Sequence, residues 1–332
     1  MNKHRIIRRL VIALLALVAA GALALGGAYA LSYLIYGRSP QASAYEIILR
    51  RRFATDVTAE QETARLDALR GQAESDIHIP GLVVGIERHE RDGMAWYLIN
   101  PDGNTGVTVF NLHGGAYIHR LNAYQWELMR TLAEQTDARI VAPDYHVAPY
   151  GNCTRAYADV PALFAEYAGA NPGERIVMMG DSAGGGLALG VSEYLLDAGG
   201  PMPERLILFS PWVDLSMDNP DIADYVAVEP VLHFELVKVH GRVWADERDV
   251  HDWMVSPLFG DMEGLPPVTV YAGTRELLYP DLVLLRDRLA AAGVDVTFRV
   301  GRGLNHEYPL MPLPESRAAV REVIRVIEEM KD

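Results

Sequence analysis

The chain has 332 residues, half of them hydrophobic, with glycine and proline spread along its length, which fits one large globular domain and excludes extended disorder. The formal charge is −14, but the five basic residues of the first 38 stand beside no acid, which leaves 25 basic and 44 acidic residues, a balance of −19, in residues 39–332. So acidic a body excludes nucleic acid and anionic lipid as partners of its general surface, and any membrane contact is assigned to the N-terminus. The single Cys153 excludes an intramolecular disulfide, and the ten histidines form no helical i, i+4 pair beside a carboxylate base, so no metal is expected.

Residues 11–36 are 26 consecutive uncharged positions behind Lys3, Arg5, Arg8 and Arg9. As a helix they are long enough to cross a bilayer, and the basic flank favours a cytoplasmic N-terminus with the body exported. The competing reading is a cleaved signal peptide, since Ala28-Tyr29-Ala30 resembles a processing site; the apolar run continues past it, which favours an uncleaved anchor over residues 1–37. Arg8-Arg9 is a weak twin-arginine signal, and Asn152-Cys153-Thr154 matches a glycosylation sequon that one expects by chance. Residues 38–75 read as helical, serving either as a stalk or as a segment folded back over the site.

The main body is placed at 76–332. Strands are expected at 82–86 and 94–99, joined around Arg91-Asp92-Gly93, and alternation then begins. Strand 107–112 precedes helix 123–134, strand 139–142 precedes helix 157–167, and strand 176–179 precedes helix 183–196. Strand 206–209 leads into an aromatic-rich interruption at about 214–256, helical near 234–243 and read as a lid. Strand 268–271, helix 281–291, strand 294–300 and helix 315–329 complete the chain. This order predicts an α/β fold with a mostly parallel eight-stranded sheet, helices on both faces, and a site at the carboxyl ends of the strands.

Four segments lie at those ends. Gly180-Asp181-Ser182-Ala183-Gly184 has the G-x-S-x-G spacing, in which small residues let strand and helix pass closely while a serine is held exposed; a loop without chemistry, or one holding phosphate, is the alternative. His113-Gly114-Gly115-Ala116 is a loop able to aim backbone N–H groups at a developing oxyanion. Glu276 and His306 each follow a strand, and the order Ser182, Glu276, His306 is that of an α/β-hydrolase triad.

With these stretches the sequence resembles the hormone-sensitive-lipase-like family of α/β-hydrolases, a group of serine carboxylesterases and lipases. The matching segments are His113-Gly114-Gly115-Ala116-Tyr117, Asp144-Tyr145-His146-Val147-Ala148-Pro149, the Ser182 turn, Ser210-Pro211-Trp212-Val213-Asp214 and Ser256-Pro257-Leu258. Two departures are visible: Ala116 replaces a third glycine, and Glu276 stands where Asp is usual, with Asp281 as its competitor. The resemblance implies an α/β-hydrolase fold with a helical cap and a carboxylesterase acting without a cofactor on small to medium acyl esters. Ser182 would be the nucleophile, His306 the base and Glu276 the acid, with Gly114, Gly115 and Ala183 as oxyanion donors; Tyr117, at the rim of the pocket, reads equally as a substrate contact or as packing. Deacetylation, lipase action and, from another class, a non-catalytic ligand-binding protein on the same fold are the alternatives. His113, Asp144 and Asp181 read as structural, and the oligomeric state is not legible.

Overall fold

The computed structural model describes residues 2–75, 77–79, 81, 84–103 and 106–331. Eight strands form one sheet: β1 (Ile86–Arg91), β2 (Met94–Ile99), β3 (Val107–Leu112), β4 (Arg139–Asp144), β5 (Arg175–Asp181), β6 (Arg205–Phe209), β7 (Val268–Gly273) and β8 (Val296–Gly301), in the order β1-β2-β4-β3-β5-β6-β7-β8. β2 is antiparallel to both β1 and β4; every other pairing is parallel.

Along the central strands, successive side chains go to opposite faces, and both faces are apolar. On β5, Ile176 and Met178 enter one core while Val177 and Met179 enter the other; on β6, Leu206 and Leu208 are separated from Ile207 and Phe209 in the same way. Helices α5 (Cys153–Ala170), α6 (Ser182–Asp197) and α8 (Tyr279–Ala291) cover the first face, and α4 (Ala123–Thr136) and α9 (Pro314–Glu329) the second. Helix α5 starts four residues earlier than expected because Asn152, the residue of the sequon, caps it by accepting from the Arg155 N–H.

The first strand departs from expectation. The apolar stretch at 82–86 is only partly within the described residues, and the strand itself is Ile86–Arg91, Ile-Glu-Arg-His-Glu-Arg. An edge strand has one free ladder and a solvated face, so it needs few apolar residues, and its charges discourage pairing with other chains. The turn is where the sequence put it, with Asp92 and Gly93 both at positive φ between Arg91 and Met94.

Three helices precede the sheet: α1 (Asn2–Tyr36), α2 (Pro40–Arg52) and α3 (Ala59–Leu69). Within α1, Ile7–Tyr36 is long and apolar enough to cross a membrane. Helices α2 and α3 lie against the body. Arg50 of α2 donates to the Val228 carbonyl, and Glu62 of α3 meets His240 at 2.9 Å on α7 (Phe234–Ala245), the helix of the interruption between β6 and β7. The two flanks of that interruption are tied together, with Leu258 N–H donating to the Val213 carbonyl and Leu215 N–H to Ser256 Oγ.

Candidate active site

Ser182 is the first residue of α6, directly after β5, and its φ of +48° lies in the left-handed region that a non-glycine residue rarely occupies. The turn is possible because β3 and α6 nearly touch: a Cβ on Gly184 would run into the backbone of Leu112 and His113. The Trp212 N–H holds the turn from below by donating to the Ser182 carbonyl at 2.8 Å. This fixes Ser182 Oγ 2.9 Å from His306 Nε2, while His306 Nδ1 stands 2.8 Å from Glu276 Oε2. The other Glu276 oxygen accepts the Gly273 N–H at 2.9 Å, so the carboxylate is oriented by the end of β7. All three residues are buried.

Above them is a cavity of about 610 Å³, within the usual range for small-molecule sites. Ser182, His306, Gly115, Ala116 and Glu307 form part of its wall, and residues of α2 and α7, among them Leu49 and Val237, form the opposite side. Beside Ser182, the N–H groups of Gly115, Ala116 and Ala183 have no acceptor among the described residues. The Gly114 N–H donates to Asp181 Oδ2 at 3.0 Å, and Gln125 Nε2 donates to the same oxygen at 2.7 Å.

A family model described as the alpha/beta hydrolase fold matches residues 109–310. An esterase of Acinetobacter venetianus is 32% identical over 233 residues, covering 68% of this chain and 76% of the relative. A crystal structure of an esterase from the bacterial hormone-sensitive lipase family is 25% identical, with a TM-score of 0.74, covering 89% of this chain and 99% of that one. The chain is a hormone-sensitive-lipase-like α/β-hydrolase. A triacylglycerol lipase of Mycobacterium tuberculosis is 29% identical over 221 residues, 66% of this chain, but the match spans only 46% of that lipase.

In this α/β-hydrolase, the residues singled out from sequence are brought together unequally. Glu276, not Asp281, lies against His306. Asp281 accepts from Asn219 Nδ2 at 2.7 Å, and burial pushes its carboxyl up to about 7. Gly114 is corrected: its N–H is already engaged by Asp181, and Ala116 offers a free N–H in its place. For Tyr117 the packing reading holds, and the substrate contact is corrected. Ala116 and Tyr117 both have positive φ, which swings the Tyr117 ring inward; it is 1% exposed, stacks on Trp244 at 4.2 Å and is absent from the cavity wall. His113 is structural in its contacts, buried, stacked on Tyr145 and within 2.8 Å of the Gly114 carbonyl, and Asp144 pairs with Arg120.

Two carboxyls of this hydrolase had no signal in the sequence. Glu229, in the interruption, accepts from the N–H groups of Val231 and Leu277, and burial raises it to about 7. Glu307 stands at the cavity wall, with Oε1 3.9 Å from His306 Nε2; desolvation and the neighbouring Asp181 carboxylate push it well above the usual range. Its position next to His306 is the only hint a sequence could have offered.

Proposed function

We propose that this chain is a serine carboxylesterase that hydrolyses small to medium acyl esters through an acyl-enzyme, tethered to a membrane by Ile7–Tyr36 with its catalytic body on the extracytoplasmic side. The observation that carries the reading is the continuous hydrogen-bond path from Ser182 Oγ through the His306 imidazole to Glu276, opening into a cavity bordered by Gly115 and Ala116, whose N–H groups have no acceptor among the described residues. The membrane part rests on the apolar helix and the basic residues before it.

Ser182 donates its proton to His306 Nε2 as Oγ attacks the ester carbonyl carbon. The carbonyl oxygen takes the negative charge, and the N–H groups of Gly115, Ala116 and Ala183 are the donors assigned to it. His306 then gives its proton to the departing alkoxide as the ester C–O bond breaks, leaving the acyl group on Ser182. Water attacks that acyl carbon, His306 takes the water proton, and the proton returns to Ser182 as the acid leaves. Glu276 stays ionised throughout, accepting from Nδ1–H and fixing the tautomer that presents Nε2 to the serine. Replacing Ser182 by Ala is expected to lower kcat on p-nitrophenyl butyrate by about 10⁴-fold or more; a variant with the wild-type rate would contradict the serine mechanism.

A further inference from the structure

Only three residues separate the end of α1 at Tyr36 from the start of α2 at Pro40, and hydrogen bonds tie the joint to both helices and to the body. Ser32 Oγ lies 2.6 Å from Ser43 Oγ, and the Ser39 N–H donates to Glu315 at 2.6 Å. Buried Arg38 donates to Glu46 at 2.5 Å and to the Gly303 carbonyl at 2.7 Å, while Arg275 grips both Glu46 oxygens at 2.8 and 3.0 Å. Gly303 packs so tightly beneath Tyr36 that a Cβ there would strike the Tyr36 carbonyl. Arg275 adjoins Glu276, and Gly303 precedes His306 by three residues. The exit of the apolar helix is therefore fastened to the two loops that hold the acid and the base.

The 30 residues of Ile7–Tyr36 span about 45 Å at about 1.5 Å per residue, more than a hydrocarbon core of about 30 Å, so the last turns emerge together with the body. A three-residue joint reaches roughly 10 Å at full stretch, which keeps the start of α2 within that distance of the end of the apolar helix. On the outward side of α2, Ile47 and Ile48 are each 56% exposed, Arg51 is exposed at the helix end, and Val57 is exposed beyond it. Its inward side contributes Tyr45, Leu49, Arg52 and Phe53 to the wall of the cavity that holds Ser182.

We propose that α2 lies in the lipid headgroup region and that the cavity takes its substrate sideways from the bilayer. The substrate class is a membrane-resident amphiphilic ester whose acyl chain passes along Leu49 and Phe53 to Ser182. This rests on the esterase and membrane-tether readings of the proposed function. Beside the anchor and at the border of the pocket, the exposed Ile47 and Ile48 would sink into the acyl boundary and Arg51 would meet an anionic headgroup.

The test uses the full-length protein in phosphatidylcholine vesicles containing about one third phosphatidylglycerol, with two esters: p-nitrophenyl butyrate from the water and dioctanoylglycerol carried in the bilayer. The double variant Ile47→Glu, Ile48→Glu, whose sites lie outside the cavity, is expected to lose about tenfold on dioctanoylglycerol and to keep the wild-type butyrate rate, because carboxylates at the interface forfeit apolar burial and repel anionic lipid. Equal effects on both esters, including a shared loss through dissociation of a dimer paired on this face, overturn the proposal, as does no effect on the bilayer-borne ester. So does a wild-type protein that cleaves only the butyrate; in each of these cases the esterase reading stands. A wild-type protein inactive on butyrate overturns that reading and this proposal with it.

Discussion

His306 can take a proton from Ser182 only while its imidazole is neutral, and its surroundings pull in both directions. Burial lowers its proton affinity, as it does at His113, but the bond to Glu276 and the nearby Glu307 and Glu229 carboxyls outweigh burial and lift it to about 9. A raised pKa keeps the base protonated to higher pH, so kcat/KM should climb with pH and bend above the ordinary histidine value of about 6.5. Glu276→Gln removes the closest charge. We expect kcat to fall by about 10³- to 10⁴-fold and the bend to move to lower pH, because burial then acts with less opposition. Asp281→Asn should stay within about threefold of wild type at matched folding, since its partner is Asn219. Rate profiles on p-nitrophenyl butyrate across pH check this, and a larger loss in the Asp281 variant would reverse the assignment of the acid. Ser182, Glu276 and His306 were readable because each follows a strand in a short signalled loop. The engaged N–H of Gly114 and the inward ring of Tyr117 were not readable, because they depend on the reach of Asp181 and on two positive φ angles that no local pattern encodes.

At the scale of elements, the central strands were legible because both faces bury apolar side chains, whereas β1 was displaced in expectation because an edge strand of alternating charge carries no apolar signal. Helix α2 was legible as a helix but not in its placement. Its attachment depends on Glu46, a carboxylate whose burial alone would raise its pKa; hydrogen bonds from Arg275, Arg38 and Arg50 reverse that and bring it to about 2. With the folded value below the ordinary one of 4.5, the stabilisation is complete above pH 4.5 and is lost as pH falls through about 2. Glu46→Gln leaves Arg38 buried without its counter-charge, and we expect it to cost about 3 kcal/mol near neutral pH. Thermal unfolding measures this: a clear drop in Tm is expected, and an unchanged Tm would remove Glu46 from its role in fastening α2.

For the whole molecule, repeated strand-helix units after residue 107 disclosed a parallel sheet with its site at the carboxyl ends, and the structure has that sheet. The two segments that enclose the cavity were among the readings of the sequence, 214–256 as a lid and 38–75 as a stalk or a fold-back; the contacts that join them were beyond such a reading. Glu62 meets His240, and Arg50 meets Val228, across separations of 178 residues each, and contacts of that kind leave no periodicity to detect. Those contacts set α3 against α7 and α2 against the segment before α7, and α2 and α7 both line the cavity. The proposed chemistry turns on one atom beneath that enclosure, Ser182 Oγ. A fluorophosphonate probe reports on it directly, because a serine activated by His306 displaces fluoride and keeps the phosphonyl group, which peptide mass spectrometry then locates. We predict an adduct confined to Ser182, accumulating in step with the loss of p-nitrophenyl butyrate hydrolysis; loss of activity with Ser182 unmodified would contradict its role as the nucleophile.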